Sequence, residues 1–387
     1  MSNRVYTVDA LIKRGYRTKS TVGLLNGCVA ALFLVFALML PLLAFYGLVP
    51  IETVNMAGRY LAFGIVAVGL DLIWGYTGIL SLCQSLFFAL GGYAMGMYLA
   101  HHGNLFGPNG IPEALYVVYP YAIGESKGME VLPWFWMPFK SFNLTLLLGM
   151  LIPGLLAGVI GFFGFISRVR GVYFAILTQA LTVAAWMFFS QNNMKFCGTN
   201  GLTHFKTIAG HSLREDPVKL ALYGATLASL VGVYVLCSLL VRSRFGRVLV
   251  AIRDSEVTLR FTGYQPFAYK TAIFALSGAI AGLAGLLYTP QASIVTPSYM
   301  EARWSILMVV WVAVGGRGSL GGAVLGALLV NLLYNTLTSQ HTVLGVTWKP
   351  DYWKFVVGLL FVLVVLVLPG VLVSLWKKYT DRIAVKI

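Results

Sequence analysis

The chain has 387 residues, of which 58% are hydrophobic and 11% charged, and its mean hydropathy is +0.81. Soluble domains carry about 25% charged residues, so composition excludes a soluble enzyme or binding module and indicates an integral membrane protein. The formal charge of +15 raises a nucleic-acid partner, which the placement of the charges has to decide.

About ten apolar segments approach the ~20 residues of a spanning helix. They are continuous rather than short and alternating, which argues for helices over a β-barrel. They run over residues 22–49, 54–74, 79–100, 143–167, 172–190, 218–241, 268–289, 303–316, 319–338 and 353–376. Lys13, Arg14, Arg17 and Lys19 precede the first. It is longer than the ~7–15 apolar residues of a signal peptide and reads as an uncleaved span. The second holds Arg59 near one end and Asp71 near the other. Asp71 reads either as a group that caps or pairs a helix end or as a coupling carboxylate at membrane depth.

The third segment follows the motif Gly75-Tyr76-Thr77-Gly78 and carries Ser81, Gln84 and Ser85. The outer loop 101–142 contains Pro108, Pro112, Pro120, Pro133 and Pro138 with Trp134 and Trp136, which suggests an ordered cap with interfacial aromatics. Glycines at Gly154, Gly158, Gly161 and Gly164 predict a close helix approach, as do Gly278, Gly282 and Gly285, and Gly318, Gly322 and Gly326. Thr178, Gln179 and Thr182 are polar positions of the fifth segment, Asn331 and Asn335 of the ninth. The eighth segment is short and ends at Gly315-Gly316, so it reads as a half-span or a re-entrant piece. Gly315-Gly316-Arg317-Gly318 repeats, at a distance, the pattern of Gly75-Tyr76-Thr77-Gly78. Such pairs sometimes mark a transport site between structural repeats.

Between segments six and seven lies the polar stretch 242–267. Phe245, Val248, Leu249 and Ile252 fall at i, i+3, i+4 and i+7, the apolar stripe of a short helix, with Arg244, Arg247, Arg253, Asp254 and Glu256 around it. This pattern fits a helix lying on lipid headgroups or a peg seated in a partner's groove.

With the N-terminus inside and every segment crossing, most Lys and Arg fall in inner pieces: 1–21, 168–171, 242–267, Arg317 and 377–387. This satisfies the positive-inside rule and makes nucleic acid unnecessary. The expectation is an all-α membrane protein with about ten spans and both termini cytoplasmic. It has a tail 1–21, a polytopic domain 22–376 and a tail 377–387.

Catalytic readings thin out quickly. No Gly-x-x-x-x-Gly-Lys-Ser/Thr, Gly-x-Ser-x-Gly or His-Glu-x-x-His occurs. The five histidines fall in outer loops, and Cys28, Cys83, Cys197 and Cys237 have no metal-ligand spacing. No catalytic residue, metal or other cofactor is expected.

Several stretches resemble a known family: "FGRVLVAIRDSE" (245–256), "YKTAIFALSGAIAGLAGLLY" (269–288) and "VGGRGSLGGAVLGALL" (314–329), preceded by "GYTGILSL" (75–82) and "RGVYFAILTQAL" (170–181). They are similar, in order, to the LivM-like permeases of ABC importers for branched-chain amino acids and amides. Within that family "FFALGGYAMGMYLA" (87–100), "LPWFW" (132–136), "NGLTHFK" (200–206) and "PDYWKFVVGLLFVLVVLVLP" (350–369) look most like permease subunits of urea importers. The chain departs from the family at Cys83-Gln84, where Gly-His is common. The resemblance implies a bacterial inner-membrane importer with a homologous second permease, two cytoplasmic ATPase subunits and an extracytoplasmic substrate-binding protein, besides membrane lipid. It makes 242–267 the coupling loop, with Phe245, Val248, Leu249 and Ile252 in an ATPase groove and Arg247, Arg253 and Asp254 setting register. A neutral solute such as urea needs hydrogen-bonding groups along its path. Ser81, Gln84, Ser85, Thr178, Gln179, Asn331 and Asn335 are the candidates, the two glutamines first because a primary amide both donates and accepts. Branched-chain amino acids are the alternative substrate, and an ion-coupled carrier dependent on Asp71 is the rival of a different class.

Overall fold

Long runs of Leu, Val, Ile, Phe and Ala leave backbone hydrogen bonding within the segment as the economical solution away from water. The computed structural model follows that solution. It describes residues 38–44, 46–102, 105–106, 111–112, 134–169, 171–191, 194–203, 205–338, 342–343, 346–347 and 358. Residues 1–51 form a unit of their own, in which 38–44 are helical. The second unit, from Glu52 on, contains the elements below except Ile51, the first residue of α1.

The helices are α1 (Ile51–Thr77), α2 (Gln84–His101), α3 (Phe142–Ile166), α4 (Val172–Phe189), α5 (Asp216–Arg242), α6 (Arg244–Phe261), α7 (Pro266–Ala292), α8 (Ala302–Gly315) and α9 (Leu320–Thr338). Three two-residue antiparallel hairpins are the described strands. By length and apolarity α1, α3, α4, α5 and α7 are candidate membrane spans, five among the described residues. The protein is therefore a multi-pass helical membrane protein. The first expected segment lies largely outside the described residues, and the tenth lies outside them but for residue 358.

α1 and α7 form the interior. From Leu61 to Ile73 every residue of α1 is buried, and a helix apolar all round belongs inside a bundle. α7 packs most extensively on α3 and α2. The glycine rows explain how closely. A methyl at Gly282 would overlap the Gly149 carbonyl and Pro153, and one at Gly285 would overlap the Phe88 carbonyl. α8 and α9 meet the same way, Gly315 against Gly322 and Gly326 against the Trp311 carbonyl. Between the helices Phe63 gathers Trp311, Tyr288 and Phe88 at ring separations of 4.9, 5.1 and 5.9 Å.

Two expectations are corrected or sharpened. The expected segment 79–100 begins with a non-helical stretch, since α1 stops at Thr77 and α2 starts at Gln84. Irregular backbone among spans is tolerated where protein satisfies its polar groups. Here Leu82 N–H donates to Thr178 Oγ1 at 3.0 Å, and Thr182 Oγ1 donates to the Leu82 carbonyl at 3.2 Å. The eighth segment is a helix of 14 residues. At ~1.5 Å per residue that is about 21 Å, less than the ~30 Å of a bilayer core. In the described stretch 134–140, Trp136 is fully buried and Trp134 exposed, with His101 Nε2 3.0 Å from the Trp136 carbonyl.

Candidate functional site

A helix ends with unpaired carbonyls and the negative end of its dipole. α1 ends in the Gly75–Gly78 motif, and its last carbonyls are taken by two arginines from remote segments. Arg317 Nε donates to the Trp74 carbonyl and Arg253 Nη1 to the Gly75 carbonyl, each at 2.9 Å. The Arg317 guanidinium also lies 5.2 Å from the centre of the Trp74 ring. One turn back, Asp71 is fully buried and its Oδ1 accepts from Gly318 N–H at 2.7 Å. Gly316 and Gly318 have φ of 102° and 81°, which restricts the turn to glycine. A methyl on Gly75 would collide with the Gly318 backbone.

The two glycine motifs that look alike in the sequence are thus pressed together, and Asp71 takes its capping reading in this geometry. α6 joins the same junction through Arg253, whose Cγ lies 3.2 Å from where a Gly78 Cβ would sit. Burial holds the Arg317 guanidinium below the ordinary arginine range, with Arg253 nearby adding to the effect.

α6 is capped by Ser243, whose Oγ accepts from Gly246 N–H at 3.4 Å. Its apolar stripe faces this chain. Leu249 and Ile252 are 0% and 4% exposed, Val248 is half-buried, and the half-buried Phe245 ring lies 5.3 Å from Tyr269. This corrects the groove-filling reading for Leu249 and Ile252, because side chains already packed into their own core are not available to another. The Arg253 guanidinium serves the Gly75 carbonyl and, through Nε, Asp254 at 3.2 Å. Arg247 and Asp254 are exposed.

A kink at Ser255, with φ −159° and ψ 95°, separates a second half. There Val257 and Phe261 are 53% and 87% exposed. Sequence reasoning passed over this pair, although the i, i+4 spacing outside the first stripe was a usable signal.

The candidate path residues fall into two groups. Ser81, Gln84, Ser85, Thr178 and Asn331 are buried. Gln84 and Ser85 tie helices together: Gln84 Nε2 donates to Ser277 Oγ at 3.0 Å, Ser277 donates to the Gly69 carbonyl at 2.7 Å, and Ser85 and Ser305 hydroxyls are 2.6 Å apart. Ser81 Oγ lies 3.2 Å from Cys83 Sγ, and Asn331 Nδ2 donates to the Ala327 carbonyl at 2.7 Å. Gln84 Oε1 and both amide atoms of Gln179 are buried without a hydrogen-bond partner among the described residues. Asn335 is half-buried at the far end of α9.

Tightly packed spans, a break inside the bundle and a basic helix tied to the end of a buried span define a polytopic helical membrane protein. The chain belongs to the family described as branched-chain amino acid transport system / permease component, which it matches over residues 53–365.

It is 27% identical over 323 residues to the high-affinity branched-chain amino acid transport system permease protein LivM of Escherichia coli, covering 77% of this chain and 66% of the relative. The Salmonella typhimurium protein of the same name is 26% identical, covering 77% and 65%. The probable branched-chain amino acid transport permease protein LivM of Methanocaldococcus jannaschii is 24% identical, covering 80% and 89%. The match thus spans just under two thirds of the first two relatives. No solved structure matches the chain.

Proposed function

We propose that this chain is a permease subunit of an ATP-driven importer in a bacterial inner membrane, forming half of the translocation pathway. The observation that carries the reading is the junction at the end of α1, where the arginine of α6 and the 315–318 turn share one helix terminus. A push on α6 from outside the membrane then reaches a buried span directly, without a flexible link. The chain has no P-loop of its own, so ATP hydrolysis falls to two cytoplasmic ATPase subunits. They are met by loop 242–267 through Val257 and Phe261, with Arg247 and Asp254 setting register. A homologous second permease and an extracytoplasmic substrate-binding protein complete the assembly. The ten-crossing topology with both termini inside, tails 1–21 and 377–387 around the domain 22–376, follows from the charge distribution.

For the substrate, the names of the relatives favour branched-chain amino acids over the urea reading drawn from motifs. The urea or short-amide reading keeps one observation in its favour: Gln84 and Gln179 carry buried amide atoms without a hydrogen-bond partner among the described residues, neutral groups suited to a neutral solute. Uptake of radiolabelled leucine and urea by cells with and without this chain tests both. Loss of leucine uptake on deletion supports the amino-acid reading, and loss of urea uptake alone supports the amide. Uptake of both unchanged on deletion refutes the importer.

A further inference from the structure

α3 closes in a paired turn: Val169 N–H donates to the Gly164 carbonyl at 3.0 Å and Arg168 N–H to the Phe165 carbonyl at 3.2 Å. That closure puts its fifth residue in the left-handed region, the place glycine normally takes. Here it is Arg168, with φ 58°. An arginine kept at a position that favours glycine invites the question of what its side chain does.

Arg168 lines a cavity of about 270 Å³ together with Arg260, Tyr264, Gln265 and Phe267. Arg260 pairs with Glu256 at 2.7 Å, but the same carboxylate also takes Lys270 at 2.7 Å. One acid therefore serves two cations, and Arg168 adds a third. The Arg260 Nε is buried without a hydrogen-bond partner among the described residues. The 27-residue α7 begins at Pro266 on the cavity wall with no side-chain cap at Gln265, so the positive end of its dipole opens there as well. Arg168 is exposed and Arg260 half-buried at the cavity wall, so two guanidinium groups face one opening with a single carboxylate beside them, an arrangement that suits an anion.

Beside the cavity, on the outer face of α3, Phe162, Phe163 and Ile166 are 43%, 64% and 50% exposed, and the Phe162 ring lies 6.4 Å from Phe267. We propose that Arg168 and Arg260 hold a phosphate group in this cavity, and that its source is the headgroup of an anionic phospholipid whose acyl chain lies along that face. The planar fork of arginine suits two phosphate oxygens, and the apolar wall suits a lipid better than inorganic phosphate. The site is independent of the transported solute.

The test uses the full chain extracted from membranes, exchanged into phosphatidylglycerol or phosphatidylcholine, washed with detergent, and assayed by native mass spectrometry and thermal melting. Phosphatidylglycerol should survive a wash that strips phosphatidylcholine. Arg168→Gly should retain about tenfold less of it, a loss worth one charge-assisted bond, while melting no lower without lipid because the left-handed strain is relieved. Arg168→Lys should keep part of the retention. Equal retention by the native chain and Arg168→Gly, or equal retention of the two lipids, overturns the site. If inorganic phosphate alone raises the melting temperature as much as phosphatidylglycerol does, the phosphate site is upheld and its lipid source overturned.

Discussion

Asp71 offers the sharpest test of how the junction works, because two substitutions separate its hydrogen bond from its charge. The carboxylate is fully buried and its Oδ1 accepts from Gly318 N–H at 2.7 Å. Asp71→Leu removes the acceptor and strands that N–H where water does not replace it, at a cost of about 2–4 kcal/mol from the lost bond and the unsatisfied donor together. Asp71→Asn keeps an oxygen in the same place. Its new NH₂ falls near Oδ2, which has no partner among the described residues, so the cost should be about 1 kcal/mol.

The assay is thermal unfolding of the detergent-solubilised protein beside solute uptake in cells. The leucine variant should melt well below the asparagine variant and transport poorly, and the asparagine variant should transport nearly as the native chain does. If asparagine abolishes uptake as completely as leucine while both variants melt like the native protein, the charge itself is required. The junction argument would then fail in favour of an ion-coupled carrier.

Four further outcomes follow from the geometry. Phe261→Asp, on an 87% exposed residue, should leave folding unchanged and abolish solute-stimulated ATP hydrolysis. Leu249→Asp, which buries a charge at a 0% exposed position, should instead destabilise the chain by several kcal/mol, read as loss of protein from the membrane fraction. Thr178→Val removes the acceptor for Leu82 N–H and should cost about 1–3 kcal/mol and increase proteolysis or hydrogen exchange at 78–83. Cys197 sits in the loop 191–217, and burial pushes its thiol up to about 12. At pH 8 only about one thiol in ten thousand is then thiolate, so maleimide should label it far more slowly in the folded chain than after denaturation, and faster as pH rises. Rapid labelling of Cys197 at pH 7 would contradict that burial.

The junction suggests a reason for sequence features that otherwise look decorative. Gly75, Gly316 and Gly318 let two backbones touch, while Arg253, Arg317 and Asp71 bond the orphan groups that such contact leaves. A helix terminus held by side chains from two remote segments moves with both of them. That is the property a transport subunit driven from outside the membrane requires.

Much of this was legible in the chain itself. Hydropathy is a local property, so the segments at 54–74, 143–167, 218–241 and 268–289 correspond to α1, α3, α5 and α7 within a few residues. The short eighth segment and the glycine rows likewise carried their meaning directly, since length and the absence of a side chain act where they stand. What periodicity leaves open is what lies opposite a face. The stripe Phe245, Val248, Leu249 and Ile252 reads identically whether it packs on this chain or on a partner, and only the position of α6 against the ends of α1 and α7 turned it inward.

The same holds for the polar residues at membrane depth. Thr178 reads as one polar residue on a span, and only the break at 78–83 brings the Leu82 N–H to it. Asp71 looks like an isolated charge until Gly318, 247 residues further on, supplies its hydrogen bond. Sequence determined which segments avoid water; tertiary structure decided which buried polar groups meet, because hydrogen bonds between distant segments depend on positions that no local pattern encodes.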